Sequence, residues 1–143
     1  MLVVEAMNKD VKTIRPDATV KDAVKIMNQH RIGSLVVVKG TGEVLGIVTE
    51  RDILNDVVAE GKDSSEVRVE DIMSDEIVTI DPRRSLEEAA DLMVEKEIKK
   101  LPVVQSGKLV GIITASDLIK YERSLIEKVS TLLASSEAKG VGG

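Results

Sequence analysis

The chain has 143 residues, and its 20 lysines and arginines against 25 aspartates and glutamates give a formal net charge of −5. It has no cysteine, one histidine and one aromatic residue, which excludes disulfides, a thiol nucleophile, an ordinary zinc site and the stacking surfaces that bind single-stranded nucleic acid. The acidic balance argues against broad nucleic-acid binding, and no apolar run approaches the roughly 20 residues that span a bilayer, so we expect a cytoplasmic protein without a membrane segment.

The first predicted elements are a short strand and an amphipathic helix. The β-branched run VKTI (11–14) is ended by Pro16, which forces the preceding residue into an extended geometry. Apolar residues then recur at helical spacing from Val20 to Met27. Thr19 and Asp22 have the spacing of a capping box at the start of this helix.

Two apolar strands and a second helix complete the unit. The runs LVVV (35–38) and VLGIV (44–48) flank a glycine-containing gap that suits a hairpin. A helix begins at Thr49, so the predicted order is β-α-β-β-α.

The same unit recurs further along the chain. Thr13-Ile14 reappears as Thr79-Ile80, an offset of 66 residues, and after the hairpin Gly46-Ile47 reappears as Gly111-Ile112 at an offset of 65. The second copy comprises a strand IVTI (77–80), a helix from Leu86 with Ser85 and Glu88 at capping-box spacing, strands LPVV (101–104) and LVGII (109–113), and a helix from Thr114. Pro102 has no N–H and is expected at the start or edge of its strand.

The chain therefore divides into two repeats. They are predicted at residues 1–54 and 69–120, joined by a linker (55–68) and followed by a C-terminal helix and flexible tail (121–143). Because a unit of sixty-odd residues has a marginal core, the two should pack together about a pseudo-twofold axis. The predicted fold class is α/β, of the α+β type.

The order VxxxM…TIxP…A…M…I…LxVV…G…GIxTxxD, present twice, resembles the CBS domain, whose tandem pairs form Bateman modules. The resemblance covers residues 3–54 and 69–120. It implies a non-catalytic regulatory module that binds AMP, ADP, ATP or S-adenosylmethionine in two crevices and requires no cofactor. It also implies a homodimer and a regulated protein on a separate chain.

The resemblance further implies which residues line the crevices. One crevice combines Thr49, Arg51 and Asp52 with Val78, Thr79, Ile98 and Lys100, and the other combines Thr114 and Asp117 with Lys12, Thr13, Ile32 and Ser34. An aspartate can accept hydrogen bonds from ribose hydroxyls, and a helix start suits a phosphate. Because Arg51 adds positive charge, we expect the Asp52 crevice to bind more tightly.

Two alternatives stay open at the level of sequence. Thr49-x-x-Asp52 and Thr114-x-x-Asp117 also fit simple helix caps, and capping is compatible with ligand binding. The apolar side of the last helix either packs on its own module or meets a second protein. The alternative function is a structural or oligomerisation protein with vestigial crevices, which docks a partner through that helix.

Overall fold

The computed structural model describes residues 1–138 and shows two small sheets with helices packed around them. In chain order the elements are α1 (Val3–Ala6), β1 (Thr13–Ile14), α2 (Val20–His30), β2 (Ser34–Val38), β3 (Val44–Thr49), α3 (Glu50–Ile53) with a π-helical turn (Leu54–Val58), α4 (Val69–Ile72), α5 (Leu86–Lys96), β4 (Lys100–Gln105), β5 (Lys108–Thr114) and α6 (Ala115–Ala138). In the first sheet β1 is parallel to β2, which pairs antiparallel with β3; in the second sheet β4 and β5 are antiparallel. The predicted α+β fold of two repeats is confirmed.

Each repeat completes its core with the opening segment of the other. Val3 of α1 lies in the core of the second repeat, and Val69 of α4 lies in the core of the first. The N–H of Val3 donates to the Arg84 carbonyl, and the N–H of Val69 donates to the Ala18 carbonyl, both over 2.8 Å. This reciprocal exchange confirms the pseudo-twofold packing, because neither core is complete without the other repeat.

Two repeated glycines make room for the exchanged segments. A Cβ on Gly46 of β3 would overlap the carbonyl oxygen of Ser74, which follows α4. A Cβ on Gly111 of β5 would lie 2.6 Å from the Sδ of Met7, which follows α1. The glycine in each Gly-Ile pair therefore permits a close approach between backbones.

The second repeat lacks the early strand that the sequence predicts at 77–80. Only Ile80 pairs with β4, donating to the Pro102 carbonyl over 3.0 Å. In the first repeat the N–H of Val36 donates to the Lys12 carbonyl over 3.4 Å, whereas Pro102 stands at the equivalent position and has no N–H to donate. Pro102 is the third residue of β4, but its nitrogen faces the sparsely paired edge, as expected for a strand proline.

Helices α2 and α5 begin differently, although both have capping-box spacing. Thr19 and Asp22 exchange both hydrogen bonds of a capping box at the start of α2. At the start of α5 the Ser85 hydroxyl accepts from the Glu88 N–H over 3.0 Å. The Glu88 carboxylate, however, accepts from the Arg84 side chain and not from the backbone N–H of Ser85. The second predicted capping box is therefore only half formed.

The helices at the repeat boundaries are longer than the sequence indicates. The helix after β3 continues through Val58, inside the predicted linker, and Val57 is buried in the first core. Helix α6 continues to Ala138, within the segment predicted as a flexible tail (134–143), and residues 139–143 lie outside the described part. Among the helices of residues 1–138, none is both long and apolar enough to cross a membrane.

Candidate functional site

A cleft of about 900 Å³ is lined by both repeats. Its walls are formed by residues within the strands or beside their ends, together with the segments that follow α1 and α4. The lining comprises Asn8, Asp10, Val11, Lys12, Ile32, Gly33, Ser34, Val36, Ile47, Thr49, Arg51, Ser74, Glu76, Ile77, Val78, Glu97, Ile98, Lys99, Lys100, Ile112 and Thr114. The cleft contains residues from both predicted crevices.

Most of the predicted site residues line this cleft. Those that do are Lys12, Ile32, Ser34, Thr49, Arg51, Val78, Ile98, Lys100 and Thr114. Thr13 lines a separate cleft of about 380 Å³, as expected when neighbouring strand residues point to opposite faces. Thr79 is exposed and does not line the cleft. Asp52 and Asp117 are also absent from its lining, and each lies half-buried in the first turn of its helix.

Strand pairing places each Thr-x-x-Asp motif beside a residue of its own repeat, and the expected crossed grouping around a ligand stays a prediction. Thr49 is paired with Ser34 across the β2–β3 ladder, and Thr114 is paired with Lys100 across β4–β5. The reason is that each Thr-x-x-Asp directly follows a strand of its own hairpin, which places it beside the residue that opens that hairpin. We call Lys12, Ile32, Ser34, Thr49 and Arg51 the first half of the cleft, and Val78, Ile98, Lys100 and Thr114 the second half.

One side chain nevertheless connects the two halves. The Nζ of Lys100 donates to the Oγ of Ser34 over 2.9 Å, so its charge lies beside the first half although its backbone belongs to the second. The side chain of Lys100 therefore reaches the residue that pairs with Thr49 in the first repeat.

Both Thr-x-x-Asp motifs form capping boxes with the same geometry. The N–H of Thr49 donates to Asp52 Oδ2 over 2.9 Å, and the N–H of Asp52 donates to Thr49 Oγ1 over 3.2 Å. Thr114 and Asp117 repeat these bonds at the same distances. Within residues 1–138 the Oδ1 atoms of both aspartates make no hydrogen bond, so capping leaves one oxygen of each carboxylate available.

The cations of the cleft differ in how far they are neutralised. The Nζ of Lys12, whose direction the sequence could not establish, lies 3.0 Å from Asp10 Oδ2. Arg51, Lys99 and Lys100 have no carboxylate within 4.0 Å in the described part of the chain, and Arg51 forms no pair with its acidic neighbours in sequence. The cations without an acidic partner are therefore Arg51, Lys99, which precedes β4, and Lys100, which opens it. The cleft is also lined by Glu76 and Glu97, and neither has a cation within 4.0 Å in residues 1–138. No group of three or more His, Cys, Asp or Glu residues within 1–138 is placed to hold a metal ion.

Sequence reasoning missed the part of the cleft wall that the exchanged segments supply. The N–H and carbonyl of Asn8 bond to Ile112, and those of Ser74 bond to Ile47. These four residues all line the cleft. Asn8 and Ser74 are related by the same 66-residue offset as the rest of the repeat, which is the signal that could have identified them.

A family comparison agrees with this architecture. The CBS-domain profile matches residues 3–59 and 69–124. A protein of Methanopyrus kandleri is 40% identical over 126 residues, which cover 87% of this chain and 64% of that protein. The CBS domain-containing protein YhcV of Bacillus subtilis is 38% identical over 122 residues, 85% of this chain and 86% of YhcV. Inosine-5′-monophosphate dehydrogenase of Korarchaeum cryptofilum is 36% identical over 115 residues, 80% of this chain but only 23% of that enzyme.

Solved structures show the same fold. A Burkholderia ambifaria protein described as a signal-transduction protein with CBS domains is 35% identical, with a TM-score of 0.75 over 85% of this chain and 93% of that one. A hexameric CBS-CP12 protein from bloom-forming cyanobacteria is 33% identical, with a TM-score of 0.71 over 97% of this chain and 84% of that one. Pairs of CBS domains in general act as regulatory modules that bind adenosine-containing ligands.

Proposed function

The chain belongs to the CBS-domain family, and on that premise we propose that it is a non-catalytic regulatory module that binds an adenosine-containing ligand in the cleft. The observation that carries the proposal is the combination of cations without acidic partners in one cleft with two aspartates, each with a free carboxylate oxygen and each three residues after a threonine that lines the cleft. The candidate ligands are AMP, ADP, ATP and S-adenosylmethionine.

The charges of the cleft favour a ligand with phosphates. Arg51 and Lys100 have no carboxylate partner among the described residues, so a phosphate would not have to displace one. A hydrogen bond to a charged group contributes roughly 1.5–3 kcal/mol, about twice that of a neutral pair. We therefore rank the adenine nucleotides above S-adenosylmethionine, whose sulfonium is positively charged.

The nucleoside has suitable partners on the aliphatic walls. Ile32 and Ile98 occupy equivalent positions in the two halves, and Val78 adds a branched side chain in the second. Such surfaces can hold a purine without aromatic stacking. The free Oδ1 of Asp52 or Asp117 is the acceptor we assign to the ribose hydroxyls.

Ligand binding would change how the repeats are held together. Because both repeats line the cleft, a ligand that contacts both adds bonds across their boundary, and it shifts the populations of conformations that differ in the angle between them. A regulated protein on a separate chain would respond to that shift. We expect the module to act as a homodimer.

Calorimetric titration tests the proposal. We expect ATP, ADP or AMP to give saturable heat and to raise the melting temperature, since a ligand at 100 times its Kd stabilises the folded state by about 2.7 kcal/mol. Absence of both effects with all four candidate ligands at millimolar concentration would contradict it.

A matched substitution separates binding from capping. Asp52→Ala removes both a capping-box carboxylate and the proposed ribose acceptor, next to the cleft residue Arg51, whereas Asp22→Ala removes a capping-box carboxylate of the same kind that lines a separate cleft. We expect both variants to lose stability and only Asp52→Ala to weaken nucleotide binding, by about tenfold or more. Equal nucleotide affinity in the two variants would contradict the assigned role of Asp52.

The second candidate function rests on helix α6. From Glu122 to Ala134 every residue is exposed, so the helix leaves the module instead of packing along it. Its apolar residues Leu125, Ile126, Val129, Leu132 and Leu133 are each between 49% and 64% exposed. A wide apolar face of this kind is typical of a helix that meets another protein.

Truncation distinguishes the two candidates. If the chain is a structural or oligomerisation protein with vestigial crevices, shortening it after Tyr121 will disrupt an oligomer, and the full chain will show no response to nucleotides. Sedimentation of the full and shortened chains measures the first effect. If instead it is a ligand-binding module, the shortened chain will still bind nucleotide, because no residue beyond Tyr121 lines the cleft in the described part of the chain.

A further inference from the structure

Lys100 forms a connection that no other residue in 1–138 makes. Its bond to Ser34 is the only hydrogen bond between side chains that joins the two repeats there. Ser34 opens β2 and Lys100 opens β4, and the 66-residue offset makes the two positions equivalent. The bond therefore joins corresponding points of the two halves of the cleft.

The connection exists because the repeats differ at this position. Lysines at both positions 34 and 100 would repel each other, and serines at both positions would bring no charge to the cleft. With one of each, the ammonium group of the second repeat lies beside Ser34 and its strand partner Thr49. While the bond to Ser34 persists, Lys99 is the unpaired cation that the second repeat still presents to the cleft within residues 1–138.

A phosphate would compete for this ammonium group differently in the two halves. A hydroxyl oxygen is a weaker partner for an ammonium group than an anionic phosphate oxygen. A phosphate in the first half finds Lys100 already in position. A phosphate in the second half must draw the side chain back from Ser34 towards its own strand.

We propose that Lys100 is shared between the two halves, so that phosphate-bearing ligands fill them in order, the first half before the second. Occupation of the first half retains Lys100 there and leaves the second half with lower affinity. The inference rests on the proposed function and adds a regulatory property to it. The occupancy of the module would rise over a wider range of nucleotide concentration than it would with two independent, equal sites.

Titration of ATP into the full chain and its variants tests this proposal. In the wild type we expect two binding events that differ by about tenfold or more in affinity. In Lys100→Met we expect the affinity of the stronger event to fall about tenfold and that of the weaker event to stay the same. The reason is that the Lys100 ammonium group contacts a phosphate only in the first half. Lys96→Met removes one positive charge at an exposed site outside the cleft and is expected to match the wild type.

Two further measurements separate the possible failures. Ser34→Ala releases Lys100 without removing it, and we expect the two affinities to approach each other. Adenosine, which has no phosphate, should bind wild type and Lys100→Met alike. If Lys100→Met weakens both ATP events equally, or neither, the sharing is contradicted while the proposed function stands. If the wild type shows neither heat nor a raised melting temperature with ATP, ADP, AMP or S-adenosylmethionine, the proposed function itself fails.

Discussion

The first repeat has an early strand that the second repeat lacks, although the sequence predicts one in both. In the first repeat the N–H of Val36 bonds to Lys12, and β1 forms beside β2. In the second repeat Pro102 takes the place of Val36, and the 77–80 segment keeps only the bridge at its last residue. A single missing N–H therefore separates a paired strand from an irregular segment at the margin of the cleft.

The features that the repeats share have a different role from those that distinguish them. Gly46 and Gly111, which are shared, admit the exchanged segments and so hold the two cores together. Ser34 and Lys100, which differ, lie on the cleft wall. The duplication thus preserves the residues needed for packing and lets the halves of the cleft diverge in charge.

The largest expected effect comes from filling the two glycine positions. Gly46→Ala places a methyl group against a backbone oxygen, which cannot move without shifting the chain after α4, and we expect the free energy of unfolding to fall by about 3 kcal/mol. The nearest atom at Gly111 is the Sδ of Met7, which lies on a flexible side chain, and the backbone oxygen of Asn8 is 3.0 Å away, so Gly111→Ala should cost less, about 1 kcal/mol. Urea unfolding of both variants provides the comparison. Equal losses, or a larger loss at Gly111, would contradict this account of the exchange.

A smaller change in the free energy of unfolding is expected from exchanging valine and proline between the equivalent positions 36 and 102. Val36→Pro removes the bond to Lys12 and should lower the free energy of unfolding by about 1 kcal/mol. Pro102→Val supplies an N–H that can bond to Val78, and its net effect should be under about 1 kcal/mol because a freer unfolded chain offsets the new bond.

Hydrogen exchange shows whether the strand itself responds. The new amide at position 102 should be protected in Pro102→Val, while protection along 11–14 should fall in Val36→Pro. An unprotected amide at position 102 would mean that something other than the proline keeps the 77–80 segment irregular.

The sequence predicted the fold well where the signal is periodic or repeated. Helices α2 and α5 follow from their apolar stripes, and the two hairpins follow from apolar runs around glycines. The exchange of opening segments was not predictable, because Val3 and Val69 have the same pattern whichever core they enter. To predict that Pro102 leaves the 77–80 segment unpaired, one would have to know which edge of β4 its nitrogen faces.

The candidate site was predicted less completely than the fold. The family resemblance identified residues that line the cleft, but it included Thr13, which lines another surface. Its grouping of Thr49 with residues of the second repeat stays a prediction. Asn8 and Ser74 were missed because they reach the cleft only through the exchange. The bond from Lys100 depends on a side-chain conformation that the sequence does not specify.

The smallest expected effect concerns the Asp22 carboxylate, which completes the capping box of α2 that α5 lacks. The backbone N–H of Thr19, followed by its hydroxyl, holds the pKa of Asp22 below its ordinary value. A carboxylate with a lowered pKa contributes stability above its unfolded-state pKa, and this contribution is lost as the pH falls through the folded-state pKa. Asp22→Asn should therefore make the urea midpoint less dependent on pH between neutral and about pH 3. A pH dependence identical to that of the wild type would contradict the role of this hydrogen bond.

The most direct test of the central claim is ATP titration of Asp52→Ala and Asp117→Ala side by side. Both variants lose the same capping-box carboxylate, so their structural costs should be closely matched. We predict that Asp52→Ala abolishes or weakens the stronger binding event, because Lys100 and Arg51 add their charge to that half, and that Asp117→Ala affects only the weaker event. Loss of the stronger event in Asp117→Ala, or unchanged ATP binding in both variants, would contradict the account.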